Sequence, residues 1–474
     1  MKDKTLHILK KILIILLFIM PLFFVKMTLD SDFWFIVNHG RYILSSGFPT
    51  TEPFTVHSEY AFSIQKWLTC VLFYGIYNHF GNIGMYVFLY VASAITEGIM
   101  YLTLKYISKN TFVSAGVTSL SMLMLNHAFM VTRPQVFSYI FILLEIYFLE
   151  RYVRTNNKKN LIALPIISFL YMQFHSTQWI MLFIILLCYL CDFSFIKIER
   201  IKSGEVKKLP IALSIIPMVV AGAINPYGVD TFLYIYRSLT DNSHYSGIME
   251  CQPADIRTAW IFAPGLVFFV YGLWKNKAIS LRFLYLALGT FAMGLIAIRN
   301  ESYAILEFAI ASANIWKDFS YIEDKKNFKQ TIFPLIIGCI TISCIGLNRL
   351  VNPGKTTGND ILDVVNTMSV NVEPSREVNV FTPLNVGAYA EWMSYTAYID
   401  ARTEVFAKSI NETEDTFDEY RNFITGRTAI EYMQAKYGFD YYIISNNDAV
   451  MLLFVNNGYT LVYQNNTYSV FQAK

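Results

Sequence analysis

The sequence predicts a polytopic α-helical membrane protein with a C-terminal extracytoplasmic α/β domain. Three observations lead there. Of 474 residues, 54% are hydrophobic and 15% are charged, against about 25% charged in soluble chains. Apolar runs close to the length that crosses a bilayer, about 20 residues, recur up to residue 348. From residue 349 the pattern changes to short strand-like runs alternating with amphipathic helices.

The first apolar run follows a basic tail containing Lys2, Lys4, Lys10 and Lys11, with no small-residue cleavage site after it. It reads as a retained helix and not as a signal peptide. Hydropathy predicts about eleven spans, at 9–28, 83–104, 112–131, 134–152, 161–175, 178–196, 209–225, 258–274, 281–298, 301–316 and 331–348. A further run, 63–80, is long enough but ambiguous. If it lies in the interface, Lys and Arg between residues 105 and 329 concentrate in alternate loops and the other side keeps only Arg133, Arg237, Arg257 and Arg299 over that stretch. The positive-inside rule then places the N-terminus in the cytoplasm and the C-terminal domain outside. This makes 1–348 a multi-pass domain in the cell membrane with outer loops 29–82 and 226–257, and 349–474 an extracytoplasmic domain. The cytoplasmic loops read as short, Lys-rich connections.

The tail carries strand-like runs at "VNVFT", "AYID", "YYIIS", "TLVYQ" and "YSVFQA". Helix-like runs lie between them, which is the signature of a small α/β domain. "NPGKTTGND", 352–360, reads as a linker.

Four of the six cysteines lie inside apolar runs, which argues against a disulfide framework. The C-x-x-C at Cys188–Cys191 has no partner pair. The sequence holds no zinc-ligand spacing, no phosphate-binding P-loop, no G-x-S-x-G and no paired broken helices of a repeat transporter. Nothing in it points to nucleic acid.

Most polar residues suited to chemistry fall on the outer side. The first outer loop opens with "DSDFWFIVNHGRYILSSGFPTTEPF", which puts Asp30 and Asp32 where the first span ends. Two carboxylates there can act as general bases, hold a divalent cation, cap the next helix or simply be hydrated among headgroups. Arg133, Arg257 and Arg299 can bind a substrate phosphate or anchor lipid headgroups. His175 suits a ligand or a hydrogen-bonded helix end. Glu97 and Glu145 lie inside apolar spans, where carboxylates are costly and paired or functional. In the tail, Asp400 and Arg402 sit where a strand ends, a place to contact a ligand or brace a loop.

The run D-x-D-x-W, then H-G-R, G-x-P, E-P-F and K-W-L, resembles the first outer loop of bacterial membrane glycosyltransferases of the GT-C superfamily. The similarity is to the branch of the dolichyl-phosphate-mannose and aminoarabinose transferases. "TRPQVFSYIF" (132–141), "FHSTQWIMLFIILL" (174–187), "NPYGVDTFLY" with "ECQPADI" (225–256) and "IDARTEVF" (399–406) continue it in order. The chain departs from the pattern at Gln65-Lys66, where relatives often read H-E. It departs again at Cys251, inside a motif often read E-W-Q-P. The first change exchanges an acid for a base and points to a different substrate.

The resemblance implies a GT-C-like hexosyl- or pentosyltransferase of the cell envelope. It would move a sugar from a polyprenyl-phosphate donor to a glycan, lipid or protein acceptor at the outer face. Asp30 and Asp32 would be catalytic, or would bind Mg²⁺ or Mn²⁺. Trp34 would shape the sugar pocket beside a turn at Gly40. His39, Arg41, Lys66, Arg133, His175 and Arg299 would bind substrate. The alternatives are a non-enzymatic assembly or transport component, or a glycan polymerase or ligase, of envelope polysaccharide biosynthesis.

Overall fold

The structure, a computed structural model, describes residues 2–193, 199–240, 248–275, 278–317, 325–351 and 359–474. Most of the linker expected at 352–360 therefore lies outside the described residues. The chain divides into two compact units. The first comprises Met1–Met27, Tyr86–Ile224 and Ile248–Gly354; the second comprises Thr28–Met85, Asn225–Gly247 and Lys355–Lys474.

The first unit is helical. Helix Glu301–Ile315 forms its centre and is buried along its whole length, its polar residues Glu301, Ser302, Glu307, Ser312 and Asn314 included. Helices Leu281–Ile296, Ala263–Trp274 and Thr111–Ala128 pack around it. The last of these is capped by Asn110, whose side chain accepts the backbone N–H groups of Phe112 and Val113, a standard way to satisfy a helix start. Two short strands, β1 (Ile201–Lys202) and β2 (Ile279–Ser280), pair in parallel.

Beside β2, Arg282 is buried, not a loop cation in water. Its guanidinium lies 2.7 Å from Glu150 and 2.6 Å from Glu205. The "Lys-rich connection" expectation fails here because the arginine's stem is drawn into the helices and its fork needs carboxylates. Glu145 is also buried, and its carboxylate oxygens make no hydrogen bond among the described residues.

Among the described residues, His7–Phe24 and Trp67–Ser108 are long and apolar enough to cross a membrane. A third span results if Lys158–Gln178 and Ile180–Leu190, bent by 109°, count as one. The apolar helices Lys208–Gly222, Ala263–Trp274, Leu281–Ile296 and Pro334–Arg349 are shorter. Among the described residues, two or three helices thus reach membrane length, against the eleven spans expected. Within Trp67–Ser108 the backbone leaves helical geometry at Gly81 (φ 57°, ψ −149°). That conformation is open to glycine, and it falls where the ambiguous run 63–80 gives way to the run 83–104.

The second unit is built on a five-stranded mixed sheet of β3 (Asn379–Phe381), β4 (Thr396–Ala397), β5 (Tyr441–Ser445), β6 (Thr460–Gln464) and β7 (Tyr468–Gln472), in the order β4-β3-β5-β7-β6. Strand β3 runs parallel to β4 and β5, while β7 is antiparallel to β5 and β6. The strands are rich in β-branched and aromatic residues, which fit a pleated, half-buried surface. Their inner face buries Phe381 against Tyr398, Phe423 and Tyr442, with ring centroids 5.1, 4.6 and 6.0 Å apart.

The first outer loop belongs to this same unit. Its residues 33–46 form a helix, and Thr55 bridges Ala397 in parallel at the β4 edge. Gly40, expected in a turn, lies inside that helix. A Cβ there would run into the Cys70 carbonyl, so the glycine permits a close helix approach.

Candidate functional site

The polar residues singled out in the sequence sort into two constellations, one in each unit.

In the second unit, the chain turns at Asp30 and enters helix Phe33–Ser46. Asp30 Oδ1 accepts the Asp32 backbone N–H at 3.0 Å, and Asp30 and Asp32 carbonyls accept the N–H groups of Phe33 and Ile36. Both carboxylates are half-buried at the start of that helix, where its dipole favours negative charge. Trp34 is buried in an aromatic group, 4.6 Å from the Tyr389 ring, 5.7 Å from Tyr77 and 6.1 Å from Trp392. Lys66 is half-buried, its ammonium 4.5 Å from the Phe35 ring.

One turn further on, the helix delivers His39 and Arg41 into a packed ionic cluster. Its centre is Arg402, 1% exposed. Arg402 donates to both Glu52 oxygens at 2.9 and 3.1 Å, to Asp400 Oδ2 at 2.6 Å and to Glu391 Oε1 at 3.4 Å. It also lies 3.2 Å from His39 Nε2. Phe54 and Phe62 cover the guanidinium at 5.3 and 5.2 Å. Glu52 is further fixed by the Phe54 N–H at 3.0 Å.

Burial alone would lower the Arg402 guanidinium, but Asp400, Glu52 and Glu391 raise it well above its ordinary value. Burial, then Asp400, pushes Glu391 well up. Burial raises Glu52 against the pull of Arg402. Burial, then Arg402 and Lys66, holds His39 well below its usual range, so the imidazole is neutral. Arg41 donates to Asn38 Oδ1 at 2.6 Å and lies 4.4 Å over the Trp392 ring.

The motif pieces H-G-R, E-P-F and I-D-A-R thus meet in one buried knot. His39 and Arg41, expected to bind substrate, have their polar groups directed into this packing, because Arg402 and Asn38 are the nearest hydrogen-bond partners. Asp400 and Arg402 brace the first outer loop. Glu391 escaped sequence reasoning; its one signal is a lone acid inside the apolar stretch "VGAYAEWM".

In the first unit, four other motif pieces converge. Arg133 Nη1 lies 2.6 Å from Glu250 Oε2, a pair with 21% and 41% of its side-chain surfaces exposed. Gln135 donates to the Arg299 carbonyl at 3.3 Å and to Ser302 Oγ at 3.0 Å. His175 Nδ1 and Ser138 Oγ are 2.7 Å apart. The Tyr303 hydroxyl donates to Gln178 at 3.3 Å, and the Ile298 N–H reaches the Gln252 carbonyl at 3.1 Å. The turns "TRPQ", "FHSTQ", "ECQP" and "IRNESY" therefore share one polar end of the helices. Arg133 and Arg299 lie at helix starts, where the dipole favours an anion.

Among the described residues, no three or more His, Cys, Asp or Glu side chains gather as a metal site. Asp30 and Asp32 adjoin at the helix start, with Asp30 Oδ1 already accepting the Asp32 backbone N–H.

No family model matches the sequence, and no curated protein matches it. Solved structures do share its fold. An Archaeoglobus fulgidus oligosaccharyltransferase, solved with a tethered acceptor peptide containing the NVT sequon, superposes with a TM-score of 0.63 at 10% identity. The match covers 93% of this chain and 69% of that one. The same enzyme with zinc and sulfate gives 0.59 at 10% identity, covering 91% and 68%. ArnT from Cupriavidus metallidurans gives 0.57 at 10% identity, covering 99% of this chain and 98% of that one. These folds match over 91–99% of this chain.

Proposed function

We propose that the chain is a GT-C-type membrane glycosyltransferase that moves a sugar from a polyprenyl-phosphate donor to an envelope glycan, lipid or protein acceptor on the extracytoplasmic side. The observation that carries this reading is the fold likeness to ArnT across both whole chains, joined to a D-x-D at the entrance of helix Phe33–Ser46.

In this reading Asp30 or Asp32 accepts the proton of the acceptor hydroxyl as that oxygen attacks the sugar's anomeric carbon. The bond from that carbon to the phosphate oxygen breaks, and polyprenyl phosphate leaves. In the alternative, Asp30 and Asp32 together would hold Mg²⁺ or Mn²⁺, which would neutralise charge on the leaving phosphate. Lys66, Arg133 and Arg299 are proposed as cations toward phosphate, His175 as a hydrogen-bonding partner of substrate, and Trp34 as the aromatic wall beside the sugar. His39 and Arg41 act as positioning residues, holding the helix that carries the carboxylates.

Membranes containing the wild-type chain, offered a panel of radiolabelled polyprenyl-phosphate sugars, should release polyprenyl phosphate and label a product. Absence of turnover with every donor in the panel, from correctly folded protein, would remove the transferase reading and favour an assembly component.

A further inference from the structure

A cavity of about 730 Å³ lies within the first unit, among helices Thr111–Ala128, Ala263–Trp274 and Glu301–Ile315. It is not part of either constellation described above. Its wall is largely aromatic: Trp316 stacks between Phe268 and Tyr271 at 5.0 and 5.6 Å, and its indole N–H is tied to the Phe268 carbonyl at 3.3 Å. Gly116 opens onto the cavity, and a Cβ there would meet nothing within 4 Å. One polar atom faces the apolar lining without a partner: Ser312 Oγ is buried and makes no hydrogen bond among the described residues.

Charge gathers at one end. Lys275 lines the cavity where helix Ala263–Trp274 finishes. Lys10 stands 5.5 Å over the ring of Phe112, another lining residue at the start of helix Thr111–Ala128. Among the described residues, no carboxylate belongs to the lining. An apolar, mostly preformed pocket of this size with a few converging polar groups is built to bind a ligand. An apolar body ending at two ammonium groups asks for a hydrocarbon chain with an anionic head.

We propose that this cavity binds one acyl chain of an anionic glycerophospholipid, its phosphate set at Lys275 and Lys10 and its ester region near Ser312. The charge bias of the sequence puts this basic end in the cytoplasmic leaflet, where anionic headgroups attract basic residues. The transfer reaction places the donor's phosphate at the opposite ends of the helices, so a resident phospholipid fits better than the donor. A lipid in this cavity requires only that the chain lies in a membrane; the choice of phospholipid over donor rests on the proposed transfer site.

The full chain in nanodiscs of phosphatidylcholine doped with phosphatidylglycerol supplies the test, with retained lipid counted by native mass spectrometry after extraction into mild detergent. Wild-type protein should retain phosphatidylglycerol. Gly116→Leu, which fills the cavity, should abolish retention. Lys275→Gln should lower it about fivefold, the effect of one basic residue beside an anionic lipid. Arg151→Gln, a basic residue outside the lining, should leave it unchanged. If Gly116→Leu does not fold, Lys275→Gln set against Arg151→Gln decides. Equal retention in wild type and Lys275→Gln, or added polyprenyl phosphate replacing phosphatidylglycerol as the retained lipid, would overturn the proposal.

Discussion

The polar constellations of the two units use charge in opposite ways, although the first unit elsewhere buries Arg282 against Glu150. In the second, one guanidinium meets three carboxylates and an imidazole, all shut off from water and covered by Phe54 and Phe62. In the first, Arg133 pairs with Glu250 and both partners remain partly wetted. A buried arginine cannot let go of its partners cheaply, because the charge left behind has no water to turn to. A half-exposed arginine can exchange one carboxylate for another anion at little cost. The difference teaches that Arg402 is architectural, while the Arg133–Glu250 pair is the kind that a ligand anion can enter.

The largest break in this comparison is Arg402→Met. It removes the cation from a site holding Glu52, Asp400 and Glu391, and loss of one partner from a buried ionic group costs about 3–5 kcal/mol. Denaturant unfolding of the full chain in detergent should show a loss of that order in the transition of the second unit. A loss under about 1 kcal/mol would mean the cluster does not hold the unit together.

A smaller effect comes from pH. His57 stacks on Tyr60, with ring centroids 4.6 Å apart, and burial lowers its pKa to about 3. The unfolded chain binds a proton there near 6.5 and the folded chain does not. Stability is therefore intact above pH 6.5 and declines as pH falls toward 3. At about 1.4 kcal/mol per pKa unit, the fall from pH 6.5 to 5 costs ~2 kcal/mol. His57→Phe should flatten the acid side of the stability profile by that amount; an unchanged slope would place the proton elsewhere. The raised Glu52 and Glu391 work with the opposite sign, gaining stability as pH falls.

The smallest effect on stability belongs to Arg133→Ala. An ion pair this exposed contributes up to about 1 kcal/mol, so folding should scarcely change. Retention of a polyprenyl-phosphate ligand should fall more than stability does. Unchanged ligand retention would reduce Arg133 to a partner of Glu250.

Hydropathy made the helical body legible, and strand-like runs located β3, β5, β6 and β7, while "AYID" meets β4 only at Ala397. Helix Phe33–Ser46 was read as loop because polar residues Asn38, His39 and Arg41 interrupt its apolar pattern; they face packed partners instead of solvent. The gathering of Glu52 and Arg402 was not legible either, since the pair lies 350 residues apart in sequence and no local period records it. For the same reason the first outer loop gave no sign that it shares a compact unit with the tail. In the first unit the motif pieces were visible one by one, but not that Gln135 ties the Arg299 turn to its own helix.

The central claim is that the chain transfers sugar with the carboxylates at the entrance of helix Phe33–Ser46. The most direct measurement is the transfer rate from a polyprenyl-phosphate sugar by reconstituted Asp30→Asn/Asp32→Asn, beside wild type in the same lipid. Asparagine keeps size and hydrogen bonding but cannot accept the proton, so the rate should drop by about 10²–10⁴-fold, the usual contribution of a positioned base, with unfolding unchanged. Transfer at the wild-type rate would contradict the account and leave both aspartates as hydrated residues at a helix start.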